Sequence, residues 1–122
     1  MSNQATIFDK SGNPSLVLHQ NGRLVSFSGK SIGFVDGDSV FDYNGRHRGW
    51  VEKGILRDHD GFCVGFLKGV NDISPILPIP KIPPIPAIPE IEPIRPIKAI
   101  KPIKPIKQLD WSIFDPLSLF KL

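Results

Sequence analysis

The chain has a single cysteine, Cys63, one methionine and one tyrosine, and nowhere does it have the roughly 18 consecutive apolar residues that a membrane span requires. A lone cysteine excludes an internal disulfide. The start, MSNQATIFDK, lacks the basic and apolar regions of a secretion signal, so a reducing, cytoplasmic setting is the expectation. Also missing are a nucleophile elbow, a phosphate-cradling glycine loop and a Cys-x-x-Cys pair. With 122 residues there is room for one small domain and an appendage, not for a large two-layer enzyme core. We therefore expect no catalytic residue, no cofactor and no metal.

What is abundant is ordered. Ile73, Ile76, Ile79, Ile82, Ile85, Ile88, Ile91, Ile94, Ile97, Ile100, Ile103 and Ile106 lie on one three-residue frame, Leu109 continues it, and prolines crowd the positions between. Proline fixes φ and removes an amide donor, and three residues per turn is the polyproline II repeat, so the isoleucines form one apolar edge of an extended rod. Within that edge Ile82, Ile85, Ile88 and Ile91 are the central candidates for contact. Because solvated isoleucines are costly, the edge is expected to pack on its own β domain, on another copy or on a protein partner. The rod is nearly neutral from Ile73 to Pro89, but Arg95, Lys98, Lys101, Lys104 and Lys107 follow with no acid among them. Residues 1–70 are balanced, eight basic against seven acidic, so electrostatic attraction belongs to this tail.

The first 70 residues repeat. Leu18, Phe34, Trp50 and Phe66 are spaced by sixteen, with Gly33, Gly49 and Gly65 just before the last three. Ser11-Gly12, Ser28-Gly29, Asn44-Gly45 and Asp60-Gly61 each separate two short β-prone runs, which is hairpin chemistry. Asn21-Gly22, Asp36-Gly37, Lys53-Gly54 and Lys68-Gly69 join one hairpin to the next. The reading is all-β: four β-hairpin repeats, eight short antiparallel strands, around a pseudo-four-fold axis, with Leu18, Phe34, Trp50 and Phe66 as a ring facing a shared core. The organisation is a repeat domain at 5–70, an extended tail at 71–108 and an aromatic segment at 109–122. In that last segment Trp111 and Phe114 either complete the β domain or anchor a partner.

The stretch from Ile7 to Phe66, above all FDYNGRHRGW in the third repeat, together with the Pro-Ile-Lys triplets and the short tryptophan-containing end, resembles the bacterial four-fold beta-flower proteins. The resemblance implies the fold and the layout of the tail. It implies no activity and no site residue. The first repeat departs from the others, with Pro14 and no glycine before Leu18.

Two clusters invite chemistry. His47, His59 and Cys63, with Asp58 or Asp60, are ligand types suited to zinc, but they lack the paired spacing of a zinc site. Asp9, Asp42 and Asp58, with Ser26 in the second repeat, share one repeat position. Asp ahead of a hairpin glycine ordinarily binds local backbone amides, and a carboxylate ring with nearby histidines is the enzymatic alternative. The leading functional expectation is a non-enzymatic module for assembly or protein binding through the tail and the aromatic end. The alternative is nonspecific, salt-sensitive binding of nucleic acid or an acidic membrane surface by the basic residues.

Overall fold

The computed structural model describes residues 4–70 and 72–121, so the expected segment limits at 71 and 122 lie outside the described residues. The strands are β1 Gln4–Phe8, β2 Pro14–His19, β3 Arg23–Ser26, β4 Ser31–Asp36, β5 Ser39–Asp42, β6 His47–Glu52, β7 Ile55–Arg57 and β8 Cys63–Phe66. Each pairs antiparallel with the next, and β1 meets β8 through Phe8 and Phe66, which closes an eight-stranded barrel. A 3-10 turn, Ser118–Phe120, follows near the C-terminus.

The four hairpins turn in the same way. The amides of Gly12, Gly29, Gly45 and Gly61 donate to the carbonyls of Asp9, Ser26, Asp42 and Asp58. Each glycine has φ between 79° and 92°, the left-handed value that ends a three-residue hairpin loop. The side chain at the turn entrance holds the loop from inside. Asp9 Oδ1 accepts from the amides of Ser11 and Asn13, Asp42 Oδ1 from Asn44 and Arg46, and Asp58 Oδ1 from Asp60 and Phe62, all at 2.9–3.0 Å. Ser26 Oγ accepts from Lys30 at 3.1 Å.

Strand register separates two faces. On one, Leu18 faces Leu24, Val35 faces Val40 and Val51 faces Leu56. This face carries the central cluster, Ile7, Leu16, Leu24, Val40, Leu56 and Val64, which Leu119 of the C-terminal segment joins. On the other, Val17 faces Val25, Phe34 faces Phe41, Trp50 faces Arg57 and Phe66 faces Phe8.

The expected ring therefore needs two corrections. Phe34, Trp50 and Phe66 are buried, but on the face away from the central cluster, where Phe34 stacks on Phe41 and Phe66 lies against Phe8. Leu18 is half-buried on the central face, and Val17 occupies its place in the ring. The cause is one extra residue in the first connection: six positions separate Leu18 from Leu24, whereas five separate Val35 from Val40. Gly33 and Gly65 leave room on the central face, since a Cβ at Gly33 would lie 2.6 Å from the Phe120 ring and one at Gly65 would lie 3.0 Å from Pro116.

Candidate interaction surface

From Ile73 to Lys107 the chain forms neither helix nor strand, and it follows the rim of the barrel from hairpin tip to hairpin tip. The amides of Lys81, Glu90, Ala99 and Gln108 donate to the carbonyls of Gly12, Gly29, Gly45 and Gly61, at 2.8–3.1 Å. These donors are nine residues apart, three triplets for each hairpin. The carbonyls of Ile79, Ile88, Ile97 and Ile106 lie over the same four glycines, and a Cβ at Gly12 or Gly29 would approach them to 2.5 or 2.6 Å. Glycine is required there twice, for its φ and for the belt's close approach.

The three rows of each triplet behave differently. Prolines 80, 83, 86 and 89 form a half-buried inner row. In the row before each isoleucine stand Pro75, Pro78, Pro84, Pro93, Pro96, Pro102 and Pro105, interrupted by Lys81, Ala87, Glu90, Ala99 and Gln108. All five interruptions donate an amide to the barrel, Ala87 to the carbonyl of Phe27 at 2.9 Å and the other four to the tip glycines. Proline yields where a donor is needed. Sequence reasoning missed this nine-residue beat, although it can be read from the positions that are not proline.

The belt is clasped where it meets itself. Arg57 is buried, and its Nη1 donates to the carbonyls of Gly61 at 2.8 Å and Gln108 at 3.0 Å, while its Nη2 donates to the carbonyl of Ile73. Lys107, at the belt's end, is 2.8 Å from Asp72 at its start. The pattern also conceals this clasp, because Arg57 occupies a position held by Phe8, Val25 and Phe41 in the other hairpins.

The basic residues turn toward barrel acids. Lys98 pairs with Asp36 at 3.2 Å, Lys104 with Asp38 and with Glu52 at 3.0 Å, and Lys107 with Glu52 at 3.2 Å. Arg95 pairs with Glu92 at 2.9 Å and lies over the Phe34 ring. Hydrogen bonding to Lys98 and to Lys104 holds the Asp36 and Asp38 carboxyls below the usual range, and Lys101 adds to both effects. Glu92 also accepts the Tyr43 hydroxyl at 2.6 Å.

The isoleucine row points the opposite way. Ile76 to Ile106 are each 84–97% exposed, with Ile82 at 94%, Ile85 at 96%, Ile88 at 93% and Ile91 at 95%. The expectation that this edge packs on its own β domain is corrected. Backbone hydrogen bonds, inner prolines and ion pairs hold the belt, which leaves the third row facing outward.

The aromatic segment turns inward. Trp111 bridges Cys63 and packs against Phe66, Ser112 Oγ donates to Asp58 Oδ2 at 2.6 Å, and Phe114 and Phe120 lie against the central cluster. Trp111 and Phe114 thus contact their own barrel. The zinc candidates do not converge. His47 is buried with its Nδ1 2.9 Å from His59 Nε2, and burial followed by the neighbouring His59 lowers its pKa to about 4. Cys63 lies in a separate cluster with Phe8, Ile55 and Phe66, and burial pushes its thiol up to about 12. Among the described residues no group of three or more His, Cys, Asp or Glu could hold a metal ion. Likewise, among them no helix is long and apolar enough to cross a membrane.

Fold and rim together define a class: a closed all-β module of four hairpins with its own C-terminal tail laid around it. The family model described as the 4-fold beta flower protein matches residues 5–120, and the chain belongs to that family. Neither a curated protein nor a solved structure matches it.

Proposed function

We propose that this protein is a non-enzymatic assembly module that binds protein through the outward isoleucine row of its belt. One observation carries the reading: the row from Ile76 to Ile106 is almost fully exposed on a molecule that buries the apolar residues of its barrel. Exposed apolar surface on this scale marks an interaction site. The C-terminal aromatics serve the barrel rather than a partner, since Trp111 and Phe114 are spent on internal contacts. Anion binding is the weaker alternative, because Arg95, Lys98, Lys104 and Lys107 are already paired with Glu92, Asp36, Asp38, Glu52 and Asp72. The test compares affinity capture by the full chain and by the Ile82→Ser, Ile85→Ser, Ile88→Ser, Ile91→Ser variant. Captured proteins, further copies included, are lost at unchanged melting temperature. An identical capture pattern, or binding to DNA that persists at physiological salt, defeats the reading.

A further inference from the structure

The belt has four sides, each running from one hairpin tip to the next, and they differ in charge. The first side, Ile73 to Lys81, and the second, Lys81 to Glu90, have no charged residue between their ends. The side chain of Asp72, which opens the first, is buried against Lys107, so the second is the neutral side with an exposed charge at each end, and it presents Ile82, Ile85 and Ile88. The two sides that follow carry Arg95, Lys98, Lys101, Lys104 and Lys107. Most of these cations are held in ion pairs with Glu92, Asp36, Asp38, Glu52 and Asp72, whose desolvation opposes burying those sides, whereas the side between Lys81 and Glu90 has no such cost between its ends.

We propose that the occupant of the neutral side is the same side of a second copy, in a two-fold, antiparallel contact. The proposal rests on the assembly reading above and names its partner. Three physical features select a second copy. First, in a three-residue helix rising about 3.1 Å per residue, successive isoleucines stand about 9 Å apart, so the side is a comb rather than a continuous patch. The surface that fits a comb is another of the same pitch, whose teeth enter the gaps. Second, a two-fold contact is self-complementary by construction, and reversing one copy places its Lys81 against Glu90 of the other. Within its own chain Lys81 Nζ donates to Asn13 Oδ1 at 2.7 Å, and Glu90 Oε2 accepts from the Ser31 amide at 2.7 Å, while the Arg23 guanidinium reaches the Glu90 backbone carbonyl rather than its carboxylate. Third, nine residues at that rise make a side about 28 Å long and one side chain deep. Such a strip is smaller than the roughly 800 Å² per partner of a standard stable interface. Pairing is therefore weak and concentration-dependent, which suits a module that assembles only when crowded.

Sedimentation of the purified full chain tests this from micromolar to millimolar concentration. The expected mass rises from 13.5 kDa toward twice that value. Lys81→Glu and Glu90→Lys each weaken the association several-fold by placing like charges at both ends, and the double variant restores it. Ile82→Ser, Ile85→Ser and Ile88→Ser together abolish it, while Ile97→Ser, Ile100→Ser and Ile103→Ser leave it intact. Ile85→Cys, near the centre of the side, forms a disulfide-linked dimer on oxidation, with buried Cys63 silent in the parent chain. A monomer at millimolar concentration overturns the proposal, as does failure of the double charge swap to restore association. If the parent stays monomeric while the serine triple loses other captured proteins, self-pairing falls and the assembly reading stands. If the triple alters neither mass nor capture, both fall.

Discussion

Barrel and belt are both repetitive, and they use apolar side chains in opposite directions. In the barrel Ile7, Leu24, Val40 and Leu56 point to a common cluster, and their burial supplies the cohesion. In the belt the isoleucines face water, and amides donated to Gly12, Gly29, Gly45 and Gly61 do the holding. Hydrophobic patterning thus marks an interior in one region and an exterior in the other. The polar partners decide which.

Removing Arg57 is the most severe way to break this contrast. Arg57→Met takes a donor from the carbonyls of Gly61, Gln108 and Ile73, the first of which keeps the Gln108 amide, and breaks the buried Arg57–Asp72 pair at 3.8 Å, so a loss of about 3–5 kcal/mol is expected by urea titration. Hydrogen exchange should accelerate first at the amides of Lys81, Glu90, Ala99 and Gln108. Uniform acceleration across barrel and belt would instead make Arg57 a barrel residue only.

Gly45→Ala comes next. It forces a Cβ into a left-handed position against the Ile97 carbonyl, at a cost of about 1–3 kcal/mol. Gly37→Ala has a comparable φ strain and nothing within 4 Å of the added methyl, so it separates the two causes. Equal losses for both variants would remove the belt from the explanation.

A smaller effect attaches to His47. Its folded pKa, about 4, lies below the ordinary value of 6.5, so the unfolded chain binds more protons between those pH values. This contribution to stability is complete above pH 6.5 and is lost as pH falls toward 4. His47→Asn should flatten the melting temperature across that window. At lower pH the depressed carboxyls of Asp36, Asp38 and Glu52 take up protons and belt ion pairs weaken. High salt should soften that second transition.

The smallest expected effect sharpens the contrast most. Ile82→Ser, Ile85→Ser and Ile88→Ser should change monomer stability by less than about 0.5 kcal/mol, because those side chains are solvated already. Leu119→Ala, buried in the central cluster, should cost about 2–5 kcal/mol by the same thermal measurement.

Turn chemistry made the four hairpins legible, because a small residue followed by a left-handed glycine recurs with little variation. The first repeat misled by one position: aligning the large residues chose Leu18, while the longer connection at His19 to Gly22 puts Val17 in that register. Three-residue periodicity marked the rod and its apolar edge but not which edge faces the barrel. That orientation was encoded in the donors Lys81, Glu90, Ala99 and Gln108. The clasp at Arg57 was illegible because its three acceptors are carbonyls, which every residue has.

The nine-residue beat also constrains how such a chain can change by insertion and deletion. Losing one belt triplet keeps every isoleucine in phase but moves each later donor off its glycine, so the lesion spreads to all tips downstream. Duplicating one hairpin opens a tip that no existing donor reaches, unless nine belt residues arrive with it. Viable length variants should therefore come as paired events, a hairpin of about sixteen residues with three triplets in a distant stretch of the same gene, and petal number is then inherited together with belt length.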